Sequence, residues 1–301
     1  MSGDKLKAAW EATEESLYLA VDFFKTAVGV PKSGLLTSPN VVVTPAYLLH
    51  NRGQKLEPGE QDLMIRWVLT TMAFSHYSSQ VESKLEAEAK AIREQSPKQL
   101  WPELLRRASG PRSIDSSITP NDLVDKSNRS PLFNLLYIAA LRRAAKDWWN
   151  NLALAGAPIG RGHKIEYHHI FPQARTRGLY PDALRNSIAN LAFLSALGNK
   201  KVGAKDPMEY LSRVDSAELE NQWVPLDSTL WPIDRLVEFC AARRRLLADA
   251  LNDMLGLPAY VEPTGSTPSD QVLEEEDFDA VELDEGSAPM ETEDDTTWGE
   301  E

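Results

Sequence analysis

The chain has 301 residues, 42% of them hydrophobic, and a formal net charge of −13. That is enough apolar material for one large or two modest globular units, and with no apolar run of about eighteen residues a membrane span is excluded. Its single cysteine, Cys240, excludes an internal disulfide framework and a cysteine-cluster zinc site.

The opening, MSGDKLKAAWEATEES, lacks the apolar stretch of a secretory signal, so the expected setting is the reducing cytoplasm. Trp10, Leu17, Ala20, Phe23 and Phe24 recur at helical spacing and predict one buried face on an opening helix that ends by Pro31 and Gly34. The β-branched run Val41-Val42-Val43-Thr44 predicts a short extended segment before Pro45. A helix is expected from about Pro58 and Gly59, carrying Leu63, Ile65, Trp67, Val68, Thr71 and Phe74. Ser79 to Gln95 reads as a mostly solvated helix, and Pro131 to Trp149 as a buried one. The glycines of residues 156–165 mark a loop. Short strands are expected at Lys164–Ile170 and Leu191–Ser195, with a loop and short helix around Tyr180-Pro181-Asp182 between them. Helices return at Pro207–Val214 and Pro232–Leu255. Residues 263–301 hold 15 Asp and Glu and no Lys or Arg, and read as a disordered acidic tail. Without it, 1–262 has 30 acidic against 32 basic residues, so the body is near neutral and the overall acidity is no argument against a nucleic-acid partner.

The chemistry concentrates in Glu166-Tyr167-His168-His169-Ile170-Phe171-Pro172, followed by Asn190 and by Asn199-Lys200-Lys201. Adjacent histidines on a regular strand point to opposite faces; at a strand end, where Pro172 turns the chain, both are expected to reach one site. Taken singly, each residue has a plainer reading: strand-end histidines, a turn asparagine at 190, a helix-capping asparagine at 199.

Together these residues resemble the HNH, or His-Me finger, endonucleases. The resemblance implies a mainly α fold with a small ββα-metal module. His169 is then the general base, His168 and Asn199 the ligands of one divalent metal ion, and Asn190 the support that ties the loop to the backbone. Mg²⁺ is the expected ion; a neutral His ligand also suits Mn²⁺, Ni²⁺ or Zn²⁺. Arg175, Arg177, Lys200 and Lys201 are candidates for phosphate contacts, with ordinary surface charge as the plainer reading, and Lys205 joins them from the far side. Glu166 and His163 are candidates for orienting a catalytic histidine. Arg243-Arg244-Arg245 reads as solvent-facing or paired with acidic neighbours, and Trp148 and Trp149 as core.

Over roughly residues 1–215 the chain also resembles the C-terminal half of GmrSD-type restriction proteins, through Tyr77 to Leu85, Ile188-Ala189-Asn190-Leu191 and Pro207-Met208-Glu209-Tyr210-Leu211. That likeness implies DNA cleavage in anti-phage defence. The family's ParB-like, NTP-handling domain with its DGQQR-type motif has no counterpart here, so a separate sensing subunit is the expected partner. The expected organisation is a helical domain over 1–155, the nuclease module with C-terminal helices over 156–262, and the tail over 263–301, read first as a solvating, unstructured end, with contact to a basic groove or a partner as the sharper alternative. Two other readings stay open: a DNA-binding or scaffolding subunit without turnover, and a helical interaction protein with a chance motif.

Overall fold

The computed structural model describes residues 2–53, 55–155 and 164–262. The first half is helical: α1 (Gly3–Phe23), α2 (Val43–Asn51), α3 (Glu60–Ala73), α4 (Val81–Glu94), α5 (Pro97–Ser109) and α6 (Pro131–Arg142). Then come β1 (Ile165–His169), α7 (Gln173–Thr176), α8 (Asp182–Arg185), β2 (Leu191–Ser195) and α9 (Ala196–Val202). Helices α10 (Pro207–Leu211), α11 (Ser216–Glu220) and α12 (Leu236–Leu255) complete the described chain. None of the described helices is long and apolar enough to cross a membrane.

Local signals account for most boundaries. Glu60 and Asp62 sit in the first turn of α3, where the helix dipole favours negative charge. The Ser130 side chain accepts the Leu132 N–H at the start of α6, and Gly256, at φ 61°, ends α12 in the left-handed conformation that glycine adopts without strain. α1 packs on α2, α3 on α5 and α6, and α12 on α3, on α6 and on the turn before β2. One apolar core therefore runs from Ala20 to Leu255 and joins both halves.

The two strands pair antiparallel, from Ile165 opposite Ser195 to His169 opposite Leu191. Alternation puts Ile165, Tyr167 and His169 on one face and Glu166 and His168 on the other. α6 covers the first face, with the Phe133 ring 4.8 Å from Phe193 and 6.3 Å from Tyr167. α9, which follows β2 without a break, packs against both strands.

Several expectations need correcting. Val41–Thr44 is not extended: a 3-10 turn (Pro39–Val42) leads into α2, and Pro45 occupies its first turn, where a backbone N–H is not needed. The helix expected to reach Trp149 ends at Arg142, and Ala144 turns the chain at φ 54°. α5 is an element that the periodicity reading does not contain. The helix expected from Pro232 starts at Leu236, after a 3-10 turn. On α1, Ala20 and Phe23 are buried as expected, as is Phe24 in the π-helical turn that continues it (Phe24–Val28), but Trp10 (69% exposed) and Leu17 face away from the core. The 156–163 loop, His163 and the 263–301 tail lie outside the described residues.

Candidate functional site

Four residues on the α9 side of the hairpin form a polar chain. His168 Nδ1 lies 2.9 Å from Asn199 Oδ1, and Asn199 Nδ2 donates to Glu166 Oε2 at 2.8 Å. A carboxylate accepts from the amide nitrogen, which orients the Asn199 side chain and makes His168 Nδ1 the protonated ring nitrogen. His168 Nε2 faces the Tyr210 hydroxyl at 3.4 Å, and that hydroxyl donates to the Ile170 carbonyl at 2.9 Å. Asn199 is not a helix cap: it lies inside α9, whose start is capped by the Ser195 hydroxyl accepting the Gly198 N–H at 3.0 Å.

Asn190 is fully buried and binds three backbone groups. Its Oδ1 accepts the Phe171 N–H at 2.8 Å, while Nδ2 donates to the carbonyls of Phe171 (3.1 Å) and Arg185 (2.8 Å). The turn leaving β1 is thereby fastened to the approach to β2. Glu166, placed near the site from sequence, holds Asn199 directly.

The structure does not bring the two histidines to one side of the strand. β1 stays regular through His169, so Pro172 acts too late to turn that ring toward His168. His169 Nε2 instead lies 3.1 Å from Asn186 Oδ1 and 3.0 Å from Gln173 Nε2, and its ring packs 6.0 Å from Tyr167. Burial pushes the His168 imidazole down to about 4, against the upward pull of the Asn199 hydrogen bond. Burial also lowers His169, against the Asn186 bond and helped by nearby Arg185. Both rings are therefore neutral at neutral pH. His168 itself is only 2% exposed.

Adjacent ligands at ~2.1 Å from an octahedral Mg²⁺ lie ~3 Å apart. The 2.9 Å separation of His168 Nδ1 and Asn199 Oδ1 is of that size, but with Nδ1 protonated it is a hydrogen bond; holding a cation would require the other tautomer, with the ring proton on Nε2 facing the Tyr210 hydroxyl. Among the described residues no three His, Cys, Asp or Glu side chains converge on one point. A cation here would rely on the Asn199 amide, with Glu166 close by.

The basic candidates divide. Lys200 and Lys201 are exposed on α9, and Arg177 is exposed beyond α7. Arg175 braces the loop after α9, donating to the Ala204 carbonyl at 2.7 Å and pairing with Asp206 at 3.5 Å. Trp149 is not core: it is 50% exposed, with Lys205 Nζ 4.8 Å above its ring, whereas Trp148 packs edge-on to His168.

Sequence reasoning missed three supports. Arg243, expected at the surface, is buried and donates to four carbonyls: Ala189, Leu191, Gln222 and Trp223, at 2.7–3.2 Å. Burial lowers its guanidinium to about 10, which leaves it charged. Gln222 pairs with both backbone groups of Phe193 and so closes that part of β2's free edge. Asp147, also buried, accepts the Ser195 N–H at 2.7 Å and lies so close to Gly198 that any Cβ there would run into its carboxylate. Its sequence signal was slight: an Asp opening a turn, bound by the N–H groups of Trp149 and Asn150.

No protein-family model matches the chain, and neither the curated proteins nor the solved structures contain one significantly similar to it.

Proposed function

We propose that the chain is a metal-dependent DNA endonuclease of the HNH type, the effector part of an anti-phage restriction system whose ParB-like sensing subunit is a separate polypeptide. The observation that carries this reading is the strand–strand–helix unit in which α9 sets Asn199 Oδ1 2.9 Å from His168 Nδ1 while Asn190 ties the intervening turns together. Chance strand-end residues would not require that joint arrangement.

In this reading His169, neutral at working pH, takes the proton of the attacking water. Gln173 and Asn186 hold its ring. His168, in the tautomer with its proton on Nε2, and Asn199 would hold one divalent ion, Mg²⁺ by preference, with Glu166 fixing the amide. When bound, such an ion offsets the charge that grows on the phosphate and leaving oxygen. Lys200 and Lys201 contact the DNA backbone.

One observation favours a second reading, a DNA-binding subunit without turnover: His168 is buried, and His169 lies on the opposite face of the strand. Plasmid incubated with the protein and Mg²⁺ or Mn²⁺ separates the two. The nuclease reading expects nicks or breaks that EDTA prevents and that fall by about 10²–10⁴-fold in His169→Ala, with DNA affinity retained. Binding without cleavage under either ion, repeated with the sensing partner present, would establish the second reading instead.

A further inference from the structure

A cavity of about 610 Å³ opens at the start of α6, the helix that covers the Tyr167 and His169 face of the hairpin. Its walls come from the end of α3 (Phe74, Ser75), from Arg112, and from the segment Asn121–Leu132 leading into α6. Lys126 and Arg129 are exposed at its edge, and neither has a carboxylate partner among the described residues. Arg112 is different: it is held by Asp122 and lies 5.9 Å over the Phe74 ring, so it shapes the wall. Ser127, Ser130 and Asn121 add hydroxyl and amide groups. With Arg112 and Asp122 paired to each other, the remaining charges of the lining are Lys126 and Arg129 against the single carboxylate of Asp125; that positive balance, with short polar side chains and one flat ring, suits a sugar-phosphate chain better than an apolar ligand.

The cavity is also mechanically part of the candidate site. The Ile188 N–H donates to the Lys126 carbonyl at 2.8 Å, and Ser127 forms a β-bridge with Ser187, so one wall is fastened to the turn that carries Asn190. Pro131 and Leu132 of the lining begin α6, whose Phe133 ring lies 6.3 Å from Tyr167, and the Tyr167 ring lies 6.0 Å from His169. A strand held at Lys126 and Arg129 would lie beside the start of α6, the helix that covers the His169 face of the hairpin.

We infer that this cavity is a binding track for one strand of the DNA substrate, with Lys126 and Arg129 as its phosphate contacts. The inference rests on the nuclease reading for its direction, but its test does not need cleavage. Fluorescence anisotropy of fluorescein-labelled single-stranded and duplex DNA is measured in EDTA, on the whole chain, for wild type, Lys126→Ala/Arg129→Ala and Lys126→Arg/Arg129→Lys. The alanine pair is expected to weaken binding roughly tenfold or more and to reduce the slope of log affinity against log salt by ~2, with the melting temperature unchanged and the charge-conserving pair close to wild type. Unchanged affinity and slope for both DNA forms in a folded alanine pair would overturn the track and leave the nuclease proposal standing. Weakened DNA binding in a protein that cuts nothing under any metal would sustain the track and remove the nuclease. If ATP at a concentration that saturates the cavity displaced no DNA, yet its own binding were lost in the alanine pair, the cavity would be a free-nucleotide site and the inference would fall.

Discussion

His76 and His168 are both buried, one in each half of the chain, and each belongs to a hydrogen-bonded cluster that contains a glutamate; the way those bonds end sets them apart. Around His76 the bonds close on themselves. Glu88 Oε1 meets His76 Nε2 at 2.7 Å, and Oε2 takes the hydroxyls of Tyr77 and Thr44. Ser75 and Gln80, at φ 50° and 52°, hold the connecting turn in the left-handed region, and burial beside Glu88 drives the Tyr77 phenol well above its usual range. Around His168 the bonds run outward through Asn199 to Glu166, which is half-buried. A closed, fully satisfied knot fixes architecture. An outward-running one leaves donors that a ligand can claim.

Removing each glutamate should separate the two clusters most sharply. Glu88→Ala leaves a buried imidazole and two buried hydroxyls without their acceptor, at an expected cost of about 3–5 kcal/mol. Glu166→Ala should cost about 1 kcal/mol or less, since water can replace the carboxylate. Urea unfolding of both variants checks the pair, and equal costs would erase the distinction.

A somewhat smaller effect is expected from pH. His168 titrates near 4 in the folded chain and near 6.5 when unfolded, so between those values the unfolded state binds the extra proton. Its contribution is fully present above about pH 6.5 and is lost as pH falls toward 4, by up to about 3 kcal/mol. Comparing metal-free urea midpoints across that window in wild type and His168→Asn isolates it. A slope that survives the substitution would assign the acid sensitivity elsewhere.

Much of this arrangement was legible in the sequence. β2 was expected at its observed limits because a short apolar run between a turn and a helix start has few other folds open to it. The position of Asn190 just ahead of β2 and of Asn199 in the helix after it was legible, although the faces of the two histidines were not: strand pairing through His169 overrode the loosening expected from Pro172. Periodicity on α1 identified an apolar stripe but could not show that its first half lacks a covering element, which leaves Trp10 exposed. Arg243 was misread because three consecutive arginines suggest a surface. Its spacing from Phe239, Cys240 and Leu247 nonetheless places it on the inward stripe of α12. Asp147 had no such signal, since its link to Ser195 spans 48 residues.

The guanidinium of Arg243 has a consequence for how the molecule can be divided. It reaches from the last helix to the carbonyls of Ala189 and Leu191, on either side of Asn190, and to those of Gln222 and Trp223. A truncated polypeptide that stopped before residue 236 would keep both histidines and both asparagines and still lose the donor that gathers those two turns. The hairpin is thus completed from the far end of the sequence, and it forms as a product of the whole fold rather than as an excisable cassette.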